Sequence, residues 1–203
     1  MNAQPVTVYI DFLCPWAYRG AMWLAEVEKA GRIKVSWRFF SLMQNHQTHE
    51  GPAGPPVWET NRTAQGLPAF LAATAARPQG DDAFNRFRSG LQRARHEDHL
   101  PVDDPATHRR VAEGAGLDVA RWERDLASAS FEALAREHTE AVAKGVFGVP
   151  TLTWPEGRSY YVKITDLVSA DRAVSLYDAI ETVQRFTEVV EIKTPESEGT
   201  LAA

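Results

Sequence analysis

The feature that most constrains this chain is the order of its first three elements. Val6, Val8, Ile10 and Phe12 alternate with Thr7, Tyr9 and Asp11, and this period-two pattern of β-branched and aromatic residues reads as a strand. Pro15 suits the first turn of a helix, which Ala17, Met22, Leu24, Ala25 and Val27 continue until Gly31 supplies a stop. Ile33 to Leu42 reads as a second strand. Strand, helix and strand in succession make a β-α-β unit, whose strands run parallel through a right-handed crossover.

The remainder divides by pattern. Met43 to about Thr60, with Gly51-Pro52-Ala53-Gly54-Pro55-Pro56, reads as a loop or linker. Helical periodicity then extends to Lys144, with starts near Asp81, at Asp104-Pro105, at Asp118 after the Gly116 stop, and near Ser128 or Ser130. Strand character returns at Thr151 to Trp154 and, after the turn Pro155 to Arg158, at Ser159 to Ile164, which together suggest a hairpin. A final amphipathic helix is expected from about Ala170 to Phe186, with Val174, Leu176, Tyr177, Ile180, Val183 and Phe186 on its apolar side. The expected architecture is α/β, with a β-α-β half and a β-β-α half separated by a large all-helical insertion. Residues 5–55 and 145–190 would form one discontinuous domain, 60–144 the insertion, and 191–203 a flexible tail.

Composition enters through what it excludes. The single cysteine, Cys14, forbids an intramolecular disulfide and any zinc or iron–sulfur site built from several thiolates. With 44% hydrophobic and 24% charged residues the chain is an ordinary globular one. Its net charge of −5 and the lack of basic blocks argue against nucleic acid and anionic membrane as partners. No basic region leads the N-terminus and no run approaches the roughly eighteen apolar residues of a spanning helix, so a cytoplasmic protein is expected. Without a secretory signal, Asn61-Arg62-Thr63 is a chance match to the glycosylation pattern.

Cys14 falls between a strand and the first turn of a helix, where unpaired N–H groups and the helix dipole favour a thiolate. A lowered pKa and a reactive nucleophile follow, provided the sulfur is exposed. Arg19, in the same helix, either adds positive potential or is a solvated surface residue. Far along the chain, Gly145-Val146-Phe147-Gly148-Val149-Pro150-Thr151 joins the helical stretch to the returning strand.

Together these residues carry a resemblance. Asp11-Phe12-Leu13-Cys14-Pro15-Trp16 with Tyr18 and Gly20, Asn61-Arg62, Ala115-Gly116-Leu117-Asp118 and the segment from Gly145 to Thr151 resemble the thioredoxin-fold oxidoreductases of the DsbA superfamily, in particular the FrnE-like branch. That branch neighbours the kappa-class glutathione transferases and the 2-hydroxychromene-2-carboxylate isomerases. The resemblance covers the chain to about Val190 and implies a thioredoxin-like fold. It implies that Cys14 is catalytic, that Pro150 is a cis-proline lying against it, and that Val149 offers its backbone to substrate beside Pro15 and Trp16.

One departure from the family pattern bears on mechanism. Redox-active members carry Cys-Pro-Trp-Cys, whereas here Ala17 occupies the position of the resolving thiol. A mixed disulfide on Cys14 must then be opened by an outside thiol. Three readings follow: a monothiol oxidoreductase resolved by glutathione, mycothiol, bacillithiol or a partner's cysteine; a transferase or isomerase using a bound small thiol; or a redox-inactive binding module. The transferase relatives use serine where this chain has Cys14. No tightly bound cofactor is expected; the partner is a thiol or disulfide, small molecule or protein, and a homodimer is compatible with the sequence.

Other residues have a functional and a plain reading. Asp11 could accept a proton during exchange, or be a strand-end carboxylate bonded to nearby N–H groups. The spacings His46/His49 and His96/His99 could suit a metal, but polar loops are the reading preferred, and no metal site is expected. Trp58 either lines the cleft or packs, while Trp23, Trp37 and Trp122 fall in periodic segments and are assigned to the core.

Overall fold

A computed structural model describes residues 3–50 and 54–194. The opening unit consists of β1 (Gln4–Ile10), α1 (Pro15–Lys29) and β2 (Ile33–Phe39), with the strands paired in parallel so that Val6, Val8 and Ile10 face Val35, Trp37 and Phe39. Pro15 occupies the first turn of α1, and Gly31, at φ 72°, ends it. The region expected as a loop instead holds α2 (Leu42–Glu50) and the single turn α3 (Val57–Thr60), while residues 51–53 lie outside the described ones. The correction has a local cause: Ser41 caps α2, its Oγ accepting from the Gln44 N–H at 3.2 Å, while its own N–H donates to His138 Nδ1. Gln44 Oε1 in turn accepts from the Val57 N–H at 2.7 Å, tying the two helices together.

Helices α4 (Leu67–Ala76), α5 (Asp81–His96), α6 (Pro105–Gly114), α7 (Val119–Ala127) and α8 (Glu132–Ala143) follow, with no strand between them among the described residues. Asp104 and Asp118 cap α6 and α7 as expected, through bonds to the Ala106 and Arg121 N–H groups. The chain then returns as β3 (Thr151–Thr153) and β4 (Ser159–Tyr161), an antiparallel hairpin shorter than the sequence pattern suggests, and ends in α9 (Ala170–Val183). β3 pairs antiparallel with β1, giving the sheet order β2-β1-β3-β4 of a thioredoxin-like fold.

Phe186, expected on the apolar side of the last helix, lies beyond its end and is 56% exposed. Of the expected tail, residues 191–194 have no regular structure and 195–203 lie outside the described residues.

The helical segment is packed onto the sheet. Phe12 and Phe39 meet Phe70 of α4 with ring centroids 5.4 and 5.1 Å apart, and Trp23, Trp37 and Trp122 are buried as the sequence indicated. Edge strand β2 is closed by carboxylates, since Glu28 accepts from the Val35 N–H and Glu137 from the Phe39 N–H. Glu137, 1% exposed, also receives both Arg77 Nη groups at 2.6 and 3.0 Å, which joins α8 to the chain after α4.

Candidate functional site

β1 delivers the chain to a tight turn, and α1 begins immediately after it with Cys14 as its N-cap. Cys14 Sγ accepts from the Ala17 N–H at 3.4 Å and donates to the Val149 carbonyl at 3.3 Å. The Val149–Pro150 peptide bond is cis. Pro150 packs on α1 where Gly20 leaves room: a Cβ on Gly20 would come within 2.6 Å of Pro150 Cγ. The segment bearing Val149 is itself anchored, with Asn45 Nδ2 donating to the Phe147 carbonyl at 3.1 Å and the Val162 N–H to the Pro150 carbonyl at 3.0 Å. Cys14, Val149 and Pro150 therefore converge although 135 residues separate the hydrogen-bonded pair.

The expectation of a lowered thiol pKa is overturned. Cys14 is 4% exposed, and burial, assisted by the negative charge of Asp11, pushes its thiol up to about 11; the Ala17 and Trp16 N–H groups and Arg19 work in the other direction without overcoming it. Proximity to a helix N-terminus favours a thiolate only as far as desolvation permits. The resting group is a neutral S–H that donates a hydrogen bond.

Asp11 is buried, with Oδ1 accepting from the Leu13 N–H and Oδ2 from the Leu42 N–H, both at 2.8 Å. Both oxygens thus fasten backbone, which fits the plain reading of this residue. Burial raises its pKa to about 6 against the pull of those two donors. Trp16 is half-buried, with the Arg19 guanidinium 5.0 Å and Lys163 Nζ 4.6 Å from its ring centroid. Ala17 is fully buried. Trp58 is buried and lies edge-on to His138, as its packing reading has it.

Three contributors escaped the sequence reading. Lys163 reaches Trp16 from the strand hairpin. Exposed Phe147 stacks at a tilt on Tyr161 beside Val149. His96, considered only as half of a metal-like pair, lies 5.0 Å from the Tyr18 ring and, through Nε2, 3.0 Å from the Phe12 carbonyl. A carbonyl can only accept, so Nε2 carries the hydrogen. Burial holds the His96 pKa down to about 4, leaving a neutral ring. Tyr18 of α1 donates to Glu97, the residue just past α5, so the end of α5 holds both the Cys14 turn and α1. The spacing of His96 and His99 carried no signal for this role. Among the described residues no group of three or more His, Cys, Asp or Glu is arranged to hold a metal. Two cavities, of about 420 Å³ along residues 164–176 and about 630 Å³ beside β2, do not include Cys14 in their lining. No described helix is long and apolar enough to cross a membrane.

An uncharacterised protein of Mycobacterium tuberculosis is 25% identical over 193 residues, which cover 95% of this chain and 82% of that protein. A 2-hydroxychromene-2-carboxylate isomerase superposes with a TM-score of 0.63 at 19% identity, covering 89% of this chain and 96% of the other. The cytosolic disulfide reductase DsbM of Pseudomonas aeruginosa gives a TM-score of 0.60 at 17% identity, over 88% and 99% of the two chains, and has also been solved with GSH. At such identities these structures establish the fold. The family model of the DSBA-like thioredoxin domain matches residues 5–181, and with the β2-β1-β3-β4 sheet and Cys14 set against Val149-Pro150, this chain belongs to that family.

Proposed function

We propose that this protein is a monothiol thiol–disulfide exchange enzyme working through Cys14. The observation that carries the reading is the placement of Cys14 Sγ at the start of α1 against Val149 and cis Pro150, with Ala17 where a second thiol would stand. In the first step Cys14 loses its proton and its sulfur attacks a disulfide; the Cys14–S bond forms as the substrate S–S bond breaks, and one half leaves as a thiol bearing that proton. In the second step an outside thiol attacks the mixed disulfide, restoring the Cys14 thiol and releasing a new disulfide. No net redox change occurs within the protein. Burial opposes the first step at rest, whereas the Ala17 and Trp16 N–H groups and Arg19 favour the thiolate, so exposing Sγ removes the main obstacle. The outside thiol is of low molecular weight, such as glutathione, mycothiol or bacillithiol, in a reducing cytoplasm; the likeness to a cytosolic disulfide reductase solved with GSH supports this.

A second reading is favoured by the neutral, buried S–H. A thiol of high pKa can hydrogen-bond a bound ligand's thiolate without competing for its proton, as the serine of transferase and isomerase relatives would, and the likeness to the chromene carboxylate isomerase supports it. Intact mass after incubating native protein with oxidised glutathione separates the two. Exchange yields one adduct on Cys14 that reduced glutathione removes. Saturable binding of reduced glutathione with no adduct at any pH favours the second reading, and neither result leaves a binding module.

A further inference from the structure

The turn that covers Cys14 hangs from two side chains. Phe147, Gly148 and Val149 run between α8 and β3, and the Val149 carbonyl accepts the Cys14 S–H at 3.3 Å. Two residues earlier, the Phe147 carbonyl accepts from Asn45 Nδ2 at 3.1 Å. The Gly148 carbonyl is taken locally by the Thr151 hydroxyl at 2.7 Å. Among the described residues, the side chains that hydrogen-bond the turn's carbonyls from other elements are therefore those of Asn45 and Cys14. Asn45 is buried on α2, and α2 is fixed at its start, where Asp11 Oδ2 accepts from the Leu42 N–H while Oδ1 accepts from the Leu13 N–H beside Cys14. A closed circuit results, from Cys14 to Val149, from Phe147 to Asn45, along α2 to Asp11, and back to the Cys14 turn. Its two ends are held, since Val146 is buried and the Pro150 carbonyl accepts from the Val162 N–H. Phe147 between them is already 64% exposed, so lifting the turn costs little apolar burial beyond Val149. Cys14 must give up its own bond to react, and the Asn45 bond is the one left to set where the turn sits.

We propose that Asn45 is a positioning residue that latches the 147–149 turn over Cys14, so that opening of the Asn45–Phe147 bond uncovers Sγ for a disulfide. The inference rests on the exchange reading above and names how access to that site is regulated. It gives the resting state a cause: beneath the Val149 carbonyl the thiol is shielded from water, and burial pushes it up to about 11. With the turn lifted, water reaches Sγ while the Ala17 and Trp16 N–H groups and Arg19 stay in place on α1 to favour the thiolate, against the negative charge of Asp11. Opening and ionisation are then linked, and a change that eases the opening lowers by the same factor the proton concentration needed to keep the thiol neutral. The exchange itself is unaltered: the substrate S–S bond breaks as the Cys14–S bond forms, and the departing half takes the Cys14 proton.

The test removes the latch donor in two ways, with Asn45→Leu, which keeps a similar shape, and with Asn45→Ala. Intact mass follows alkylation of Cys14 by iodoacetamide between pH 7 and 11. Loss of one hydrogen bond should speed alkylation about fivefold from pH 7 to 9. The advantage should narrow above pH 10, because the bend in the variants' profile falls lower than the parent's by about 0.7, the logarithm of that factor. Unchanged rates and profiles in both variants overturn the latch. Urea below the unfolding transition separates local opening from loss of the fold: a faster rate that stays flat with urea supports the latch, and one that climbs with urea from the start belongs to global unfolding and overturns it. The two variants differ in bulk, so either can carry the result alone. Should neither fold, the same urea series on the parent decides, a flat response supporting an opening turn and a climbing one overturning it. Adduct formation with hydroxyethyl disulfide tests the exchange reading separately. Faster alkylation with no adduct in parent or variants ends that reading and leaves the latch standing, whereas adducts with unaltered alkylation leave exchange standing and end the latch.

Discussion

Cys14 keeps its proton at neutral pH because two influences on one sulfur differ in size. A helix N-terminus favours an anion by roughly 0.3–2 kcal/mol. The net rise of the thiol pKa from 9.0 to about 11 amounts to about 3 kcal/mol in the opposite direction, and burial is its largest cause. About one molecule in ten thousand then carries the thiolate at pH 7. Alkylation of the native protein by iodoacetamide should accordingly accelerate about tenfold per pH unit from pH 7 to 10. A plateau below pH 8 would show that the sulfur is not governed by burial. The position of Cys14 between strand and helix was legible in the sequence, as was its pairing with Val149-Pro150 through the family resemblance. Its burial was not, because the atoms that cover it come from a loop on the far side of the helical segment.

Between elements, the contact that defines the site is that of α1 with the segment before β3. Gly20 is the only α1 residue type that admits the Pro150 ring, since any Cβ there would meet Pro150 Cγ at 2.6 Å. Gly20→Ala should therefore push the Val149-Pro150 segment away from Cys14 and destabilise the fold by about 1–3 kcal/mol, the usual cost of overpacking, even though alanine is the better helix former. Chemical denaturation measures it, and a neutral or stabilising result would mean that the loop yields freely. At the same scale, α2 forms where the sequence predicts a loop. Its Asn45, His46, Thr48 and His49 have weak helical preference, so it leans on Ser41 at its start, on the Asp11 carboxylate binding the Leu42 N–H, and on Gln44 holding Val57. Ser41 is a local cap residue, whereas the contributions of Asp11 and His138 come from other elements.

Across the whole molecule, acid stability is set by groups buried where helices meet the sheet. Burial holds His96 and His138 down to about 4 from an ordinary 6.5, and lowers His108 as well. The unfolded chain binds these protons first, so the stability they lend is complete above pH 6.5 and is lost as pH falls toward 4. Asp11, raised by burial to about 6 from 3.8, acts oppositely: the folded chain protonates first and gains stability as pH drops through that window. Three histidines outweigh one aspartate, so Tm should fall steadily from pH 6.5 to 4.5 in calorimetry; a rise would sink this assignment. By itself, the sequence determined the β-α-β opening, the helical insertion, the returning hairpin and the one cysteine without a resolving partner, because strand alternation, helix caps and residue identity are local properties. Only the tertiary structure decided that Cys14 is covered, that Asp11 fastens backbone, that His96 grips the Cys14 turn, and that Arg19 and Lys163 meet at Trp16. Desolvation and charge proximity depend on which distant segments pack together, and no spacing along the chain encodes them.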